Sequence, residues 1–107
     1  MLPGRYLFVF VLTIWGINSV PAHAEMNQVT IDKLVFSPEE LKAKVGDTVA
    51  WINRDIVAHT ATARGGWDVM IPATNESASL VLTKAGIVEY YCRFHSNMKG
   101  RIIITPK

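Results

Sequence analysis

Cys92, His95 and Met98 stand at i, i+3 and i+6 in the segment Tyr90-Tyr91-Cys92-Arg93-Phe94-His95-Ser96-Asn97-Met98-Lys99-Gly100. In a tight loop between two strands, that spacing lets all three side chains fold toward one point. Upstream, His59 closes a loop that follows an apolar strand, a comparable place in the chain. Two imidazoles, a thiolate and a thioether form a donor set that selects copper and suits one-electron transfer. The sulfur donors are soft and hold Cu(I), whereas imidazole serves both oxidation states. Three strong donors in a plane with a weak axial methionine suit neither state fully, so little rearrangement accompanies electron transfer. The chain has one cysteine and three histidines, and that cysteine and both histidines beyond residue 24 belong to this set.

Each residue also has a plainer reading. A single histidine beside a strand is commonly surface or satisfied core. Met98 can be an adaptable core filler, and Cys92 a buried inert thiol. A zinc site is the nearest chemical rival, but structural zinc sites use cysteine and histidine, usually with more than one cysteine, and not methionine. A Cys92–His95 nucleophilic pair is another rival. It would lack a visible orienting group and leave Met98 without a role. The joint occurrence of all four residues favours a single type 1 copper ion held by His59, Cys92, His95 and Met98. Four protein donors leave no position open for substrate, so an enzyme is not expected.

The elements that must position these residues read as strands. Val29-Thr30-Ile31 begins one, and Leu34-Val35-Phe36 continues it to Ser37-Pro38. Leu41, Ala43 and Val45 alternate with Lys42 and Lys44. Gly46-Asp47 then marks a turn into Thr48–Ile52, so the two stretches read as a hairpin. A loop runs over 53–59, a short extended piece over 60–63, and irregular chain over 67–76. Ser77–Leu82, Ile87–Cys92 and Arg101–Thr105 are further strands, and no window shows a convincing helical stripe. About seven short strands predict an all-β fold, an antiparallel sandwich or barrel. An immunoglobulin-like domain would share the pattern, but its paired cysteines are missing.

The first 24 of the 107 residues read as a secretory signal peptide: Arg5, an apolar run from Tyr6 to Ile17, then Ala22-His23-Ala24 as a small-x-small cleavage pattern. The run is too short to span a bilayer, which takes roughly 20 residues. An uncleaved anchor is the alternative. Residues 25–107 then form one domain, exported to the periplasm, with no stable membrane association after cleavage. Arg5 is the one charged residue lost, so 11 Lys/Arg become ten against nine Asp/Glu, and the net charge falls from +2 to +1. Such a balance does not suit a nucleic-acid partner. A domain this small is often supported by disulfides or a metal, and one cysteine allows no internal disulfide.

Around these residues the chain resembles the cupredoxins, and among them the amicyanins. Val45-Gly46-Asp47-Thr48-Val49-Ala50-Trp51-Ile52-Asn53-Arg54 is similar to the stretch before the family's first histidine ligand, and Cys92-x-x-His95-x-x-Met98 has the amicyanin spacing. The resemblance runs from about Ile31 to Thr105. It implies an antiparallel Greek-key β-sandwich and a blue-copper electron carrier, a monomer that docks transiently with redox proteins near His95, with that histidine at the surface and His59 more enclosed. Phe94 then borders the port. Copper delivery or storage with the same ligands is the alternative function. The sequence departs from the family at Thr60, where asparagine is common, and at Phe94 and Ser96, where prolines often flank the second histidine. The Thr60 hydroxyl is expected to tie the ligand loops together in place of asparagine, with its amide directed at the Cys92 sulfur.

Overall fold

A computed structural model describes residues 23–107, so most of the expected signal segment lies outside the described residues. Among the described residues, nine strands form two packed sheets: β1 (Met26–Asp32), β2 (Val35–Ser37), β3 (Glu40–Lys44), β4 (Thr48–Asn53), β5 (His59–Ala63), β6 (Asp68–Ile71), β7 (Ser77–Val81), β8 (Gly86–Tyr91) and β9 (Lys99–Thr105). One sheet has the order β2-β1-β4-β7 and the other β3-β9-β8-β5-β6. The expected β-sandwich is present, and no helix occurs among the described residues.

Three local expectations are corrected. The stretch 41–52 is not a hairpin: β3 pairs in parallel with β9, and β4 pairs in parallel with β1, so the turn at Gly46-Asp47 crosses from one sheet to the other. Alternation fixes which face of a strand is buried but not which strand lies beside it. The stretch 29–36 is two strands, because Lys33 (φ 54°) and Leu34 (φ 62°) make a reversal between them. Two positive φ values are the signature of a tight hairpin turn that normally takes Gly or Asn. Finally, residues 67–76 contain β6, which pairs antiparallel with β5 and brings Ile71 opposite His59.

The core is an aromatic stack across the two sheets. Trp51 of β4 is fully buried and meets Tyr90 of β8 edge-on at 5.6 Å between centroids. Trp51 Nε1–H donates to the Tyr90 hydroxyl at 3.2 Å, which satisfies the one polar atom that the indole buries. Phe36 packs edge-on against the same tyrosine at 4.8 Å. Burial pushes the Tyr90 phenol up to about 12, so it stays neutral. Gly100 lies opposite Tyr90 in the β8–β9 ladder, and any Cβ there would overlap the tyrosine ring. The stack therefore fixes the end of β8 against the start of β9, the two strands that bracket residues 92–98.

Candidate metal centre

Asn53, fully buried at the end of β4, organises the loop that leads to His59. Its amide donates to the carbonyls of Val57 (2.7 Å) and Pro72 (2.9 Å), and its side-chain oxygen accepts the Asp55 amide at 2.8 Å. All these groups would cost energy if buried unpaired, so the loop has a single path. Asp55 then turns back onto the β1–β2 reversal. Its carboxylate accepts the amides of Lys33 (2.7 Å) and Leu34 (3.0 Å), the two residues at positive φ. The same carboxylate lies 2.9 Å from His59 Nε2. Partial burial works against the Asp55 charge, yet the Leu34 amide, the His59 ring and the Lys33 amide outweigh it and hold the carboxyl below its usual value.

An ionised carboxylate only accepts, so His59 donates to it from Nε2, and Nδ1 is the ring nitrogen turned toward the sulfur. Nδ1 of His59 lies 3.7 Å from Cys92 Sγ. On the other side, Nδ1 of His95 also lies 3.7 Å from that sulfur. The donor atoms of His59, Cys92 and His95 all fall within 4.8 Å of one another. The loop that carries the latter two is closed on itself: the Cys92 amide donates to the Met98 carbonyl at 3.1 Å, and the Met98 amide to the His95 carbonyl at 2.9 Å. Met98 is buried in the core cluster at the end of this loop. His59 is fully buried, whereas His95 is half-buried.

This geometry can be tested against a metal. Nitrogen and sulfur donors sit roughly 2.0–2.3 Å from a first-row ion, and two of them about 120° apart are then about 3.7 Å from each other. Both sulfur–nitrogen separations have this value. These separations fit a His₂Cys donor set, with His59 oriented by a carboxylate from behind, as metal-bound imidazoles usually are.

A second network ties β5 to the loop. The Thr60 amide points at Cys92 Sγ at 3.4 Å, and the Thr60 hydroxyl accepts the Arg93 amide at 2.8 Å. Thr60 Oγ1 lies 2.9 Å from Thr62 Oγ1, which in turn donates to Asp68 Oδ1 at 2.6 Å. Because the Thr62 proton goes to the carboxylate, the Thr60 proton must go to Thr62. The chain of donors therefore runs one way, from the Arg93 amide to Asp68. The Thr62 hydroxyl and the Arg93 side chain hold the Asp68 carboxyl below its usual value. Thr60 thus links the two ligand loops, with Thr62 and Asp68 behind it.

Thr60→Val keeps the shape and leaves the Arg93 amide without its acceptor. A loss of about 1–3 kcal/mol is expected, the cost of a buried polar group left unpaired. Thr60→Ser should restore most of it. Urea unfolding of the three forms measures this, and a valine form as stable as the parent would contradict the network.

Asp55, Thr62 and Asp68 were not singled out in the sequence. Asp55 precedes His59 by four residues, a spacing that means little outside a helix. Thr60 and Thr62 share one face of β5 by alternation, which is a weak signal until β6 is known to bring Asp68 opposite Thr62.

Comparison with known proteins agrees with this geometry. Residues 5–104 match the family model described as Cupredoxin-like domain. Amicyanin from Paracoccus denitrificans is 35% identical over 82 residues, covering 71% of this chain and 63% of that protein. The match therefore spans less than two thirds of that relative's length. Amicyanin-alpha from Methylorubrum extorquens is 29% identical over 89 residues, covering 78% of this chain and 75% of that protein. Among solved structures, a reduced Cu(I) form of an amicyanin variant at pH 4 superposes with a TM-score of 0.69 at 32% identity, covering 81% of this chain and 87% of that one. The two-sheet sandwich, the His59–Cys92–His95 cluster at its end and the match over residues 5–104 together place the chain: it belongs to the cupredoxin family and, within it, is similar to the amicyanins.

Proposed function

We propose that this chain is a periplasmic blue-copper electron carrier, with one copper ion held by His59, Cys92, His95 and Met98. The observation that supports this best is the equal 3.7 Å spacing of Cys92 Sγ from the two Nδ1 atoms. Bound there, copper supplies a one-electron Cu(I)/Cu(II) couple. The chain's own contribution is to keep the donors still. Asp55 fixes His59, the Thr60 amide is directed at the sulfur, and the Thr60 hydroxyl holds the loop at Arg93. Donors fixed by the scaffold give a small rearrangement between oxidation states. Met98, buried at the loop's end, would be the fourth and weaker donor.

Transient docking of redox partners is assigned to the end of the sandwich around His95. His59 is enclosed and His95 is half-buried, with the two rings 5.1 Å apart. The loops that carry them also expose Ile56 (84%) and Phe94 (50%). Apolar side chains of this kind allow brief, weak contact without a large interface. Phe94→Ala is expected to slow electron self-exchange severalfold, read by NMR line broadening in mixtures of the two oxidation states. The visible spectrum should stay unchanged. The melting temperature should change little, because a half-exposed ring loses less than a buried one. An unchanged exchange rate with a clear loss of stability would exclude Phe94 from the docking surface.

Carrier and copper-delivery protein are separated by exchange. The copper-loaded protein, cycled between oxidised and reduced states beside a Cu(I) chelator, should retain its metal through many cycles. Transfer of the copper to the chelator on first reduction would favour delivery and overturn the carrier reading.

A further inference from the structure

Asp47, in the turn between β3 and β4, is 2% exposed. Its Oδ2 accepts the Lys44 amide at 2.9 Å and faces Asn27 Nδ2 at 3.5 Å, while its Oδ1 accepts the backbone N–H of Glu25 at 2.9 Å. Among the described residues, no lysine or arginine forms an ion pair with it. A carboxylate so enclosed usually has a counter-ion. Glu25 is held from its other side as well, since its carbonyl accepts the Thr48 amide at 2.9 Å. Its side chain and the residues before it, His23 and Ala24, are exposed. The ordered ladder thus begins with the nitrogen of Glu25 seated on a buried carboxylate. Independently, the small-x-small pattern Ala22-His23-Ala24 ends at the residue just before that nitrogen.

We propose that the Ala24–Glu25 bond is the site at which the exported chain is processed, and that the freed α-ammonium of Glu25 is the counter-ion of Asp47. Hydrolysis by a signal peptidase consumes one water. The C–N bond breaks, the water oxygen joins the Ala24 carbonyl carbon so that Ala24 leaves as a carboxylate, and both water protons end on the Glu25 nitrogen, which becomes an ammonium. The donor on Oδ1 changes from a neutral amide to a cation without having to move. Charge-assisted hydrogen bonds are roughly twice as strong as neutral ones. Processing therefore does more than release the chain: it completes a lock that joins the N-terminus, the start of β1 and the β3–β4 turn. The uncleaved precursor has the same hydrogen bond but not the ion pair. Lys44 and Lys107 also border this corner and oppose a further positive charge, so the direct contact with Asp47 must outweigh them.

The inference rests on the export reading above, and two measurements separate the two. The full sequence is expressed with export, and the intact mass of the exported protein is recorded together with its visible colour on copper loading. A mass that begins at Glu25 supports the processing site. A mass that begins elsewhere overturns the site and leaves the copper reading standing if the colour is present. An uncleaved mass overturns the site and the cleavable-leader reading together. The lock is tested on residues 25–107, which contain all nine strands. That chain is prepared with a free N-terminus, with an acetylated N-terminus, and with Ala24 retained in front. The free form should melt about 4–8 °C above the other two, the shift that a roughly fivefold change in the folding constant gives a domain of this size. In Asp47→Asn the difference should vanish. If that variant does not fold, the comparison of free and acetylated parent chains still decides, because equal melting temperatures overturn the lock.

Discussion

Cys92→Ser is expected to abolish the intense thiolate-to-copper absorption and to weaken copper binding by on the order of a hundredfold or more. Removing a mere hydrogen-bond partner of a ligand costs about 10–100-fold, and Cys92 lies at the centre of the cluster, 3.7 Å from each histidine nitrogen. A serine hydroxyl is a hard, neutral donor that holds Cu(I) poorly. The fold should survive, since the change removes little volume and the backbone bonds that close the loop remain. Visible spectroscopy and a competition titration against a chelator measure both effects. A serine variant that kept the colour would place the sulfur outside the copper's ligands.

Trp51→Ala is expected to have the largest effect on stability, about 3–5 kcal/mol for a fully buried indole. Small domains have about 5–15 kcal/mol in total, so the variant should lose a large share of its stability. The cause is specific. Trp51 packs on Tyr90 and Trp67 together, and its N–H is the partner of the buried Tyr90 hydroxyl. Its loss loosens the junction of β8 and β9 from which the ligand loop departs. Bound copper should then offset part of the loss, because it binds the folded chain preferentially. Urea unfolding with and without copper measures this. A loss below about 1 kcal/mol would show that the stack is not the centre of the core.

Much of this was legible in the sequence. The run Thr48–Ile52, with Val49 and Trp51 on one face, was read as a strand, and the structure has β4 there, one residue longer, with those two residues inward. The triplet Cys92, His95 and Met98 located the loop, and His59 is brought to it from β5. What alternation does not encode is the neighbour of each strand. The Gly46-Asp47 turn looked like a hairpin because its residues suit one. Yet the Asp47 carboxylate is engaged by Glu25 and the Lys44 amide, and the chain leaves for the other sheet. The Lys33-Leu34 reversal was invisible because neither residue favours positive φ. About 1–2 kcal/mol of unfavourable backbone energy per residue is offset there by the distant Asp55 carboxylate, in a contact no local pattern records. The positioning groups were missed for the same reason. Asp55, Thr62 and Asp68 acquire meaning only when the strands are in place.

The most direct test of the account is the addition of Cu(II), in stepwise amounts, to the purified metal-free protein while its visible spectrum is recorded. An intense blue colour is expected that saturates at one copper per chain and is bleached by one equivalent of a one-electron reductant. A folded protein that bound Cu(II) and stayed colourless would contradict it.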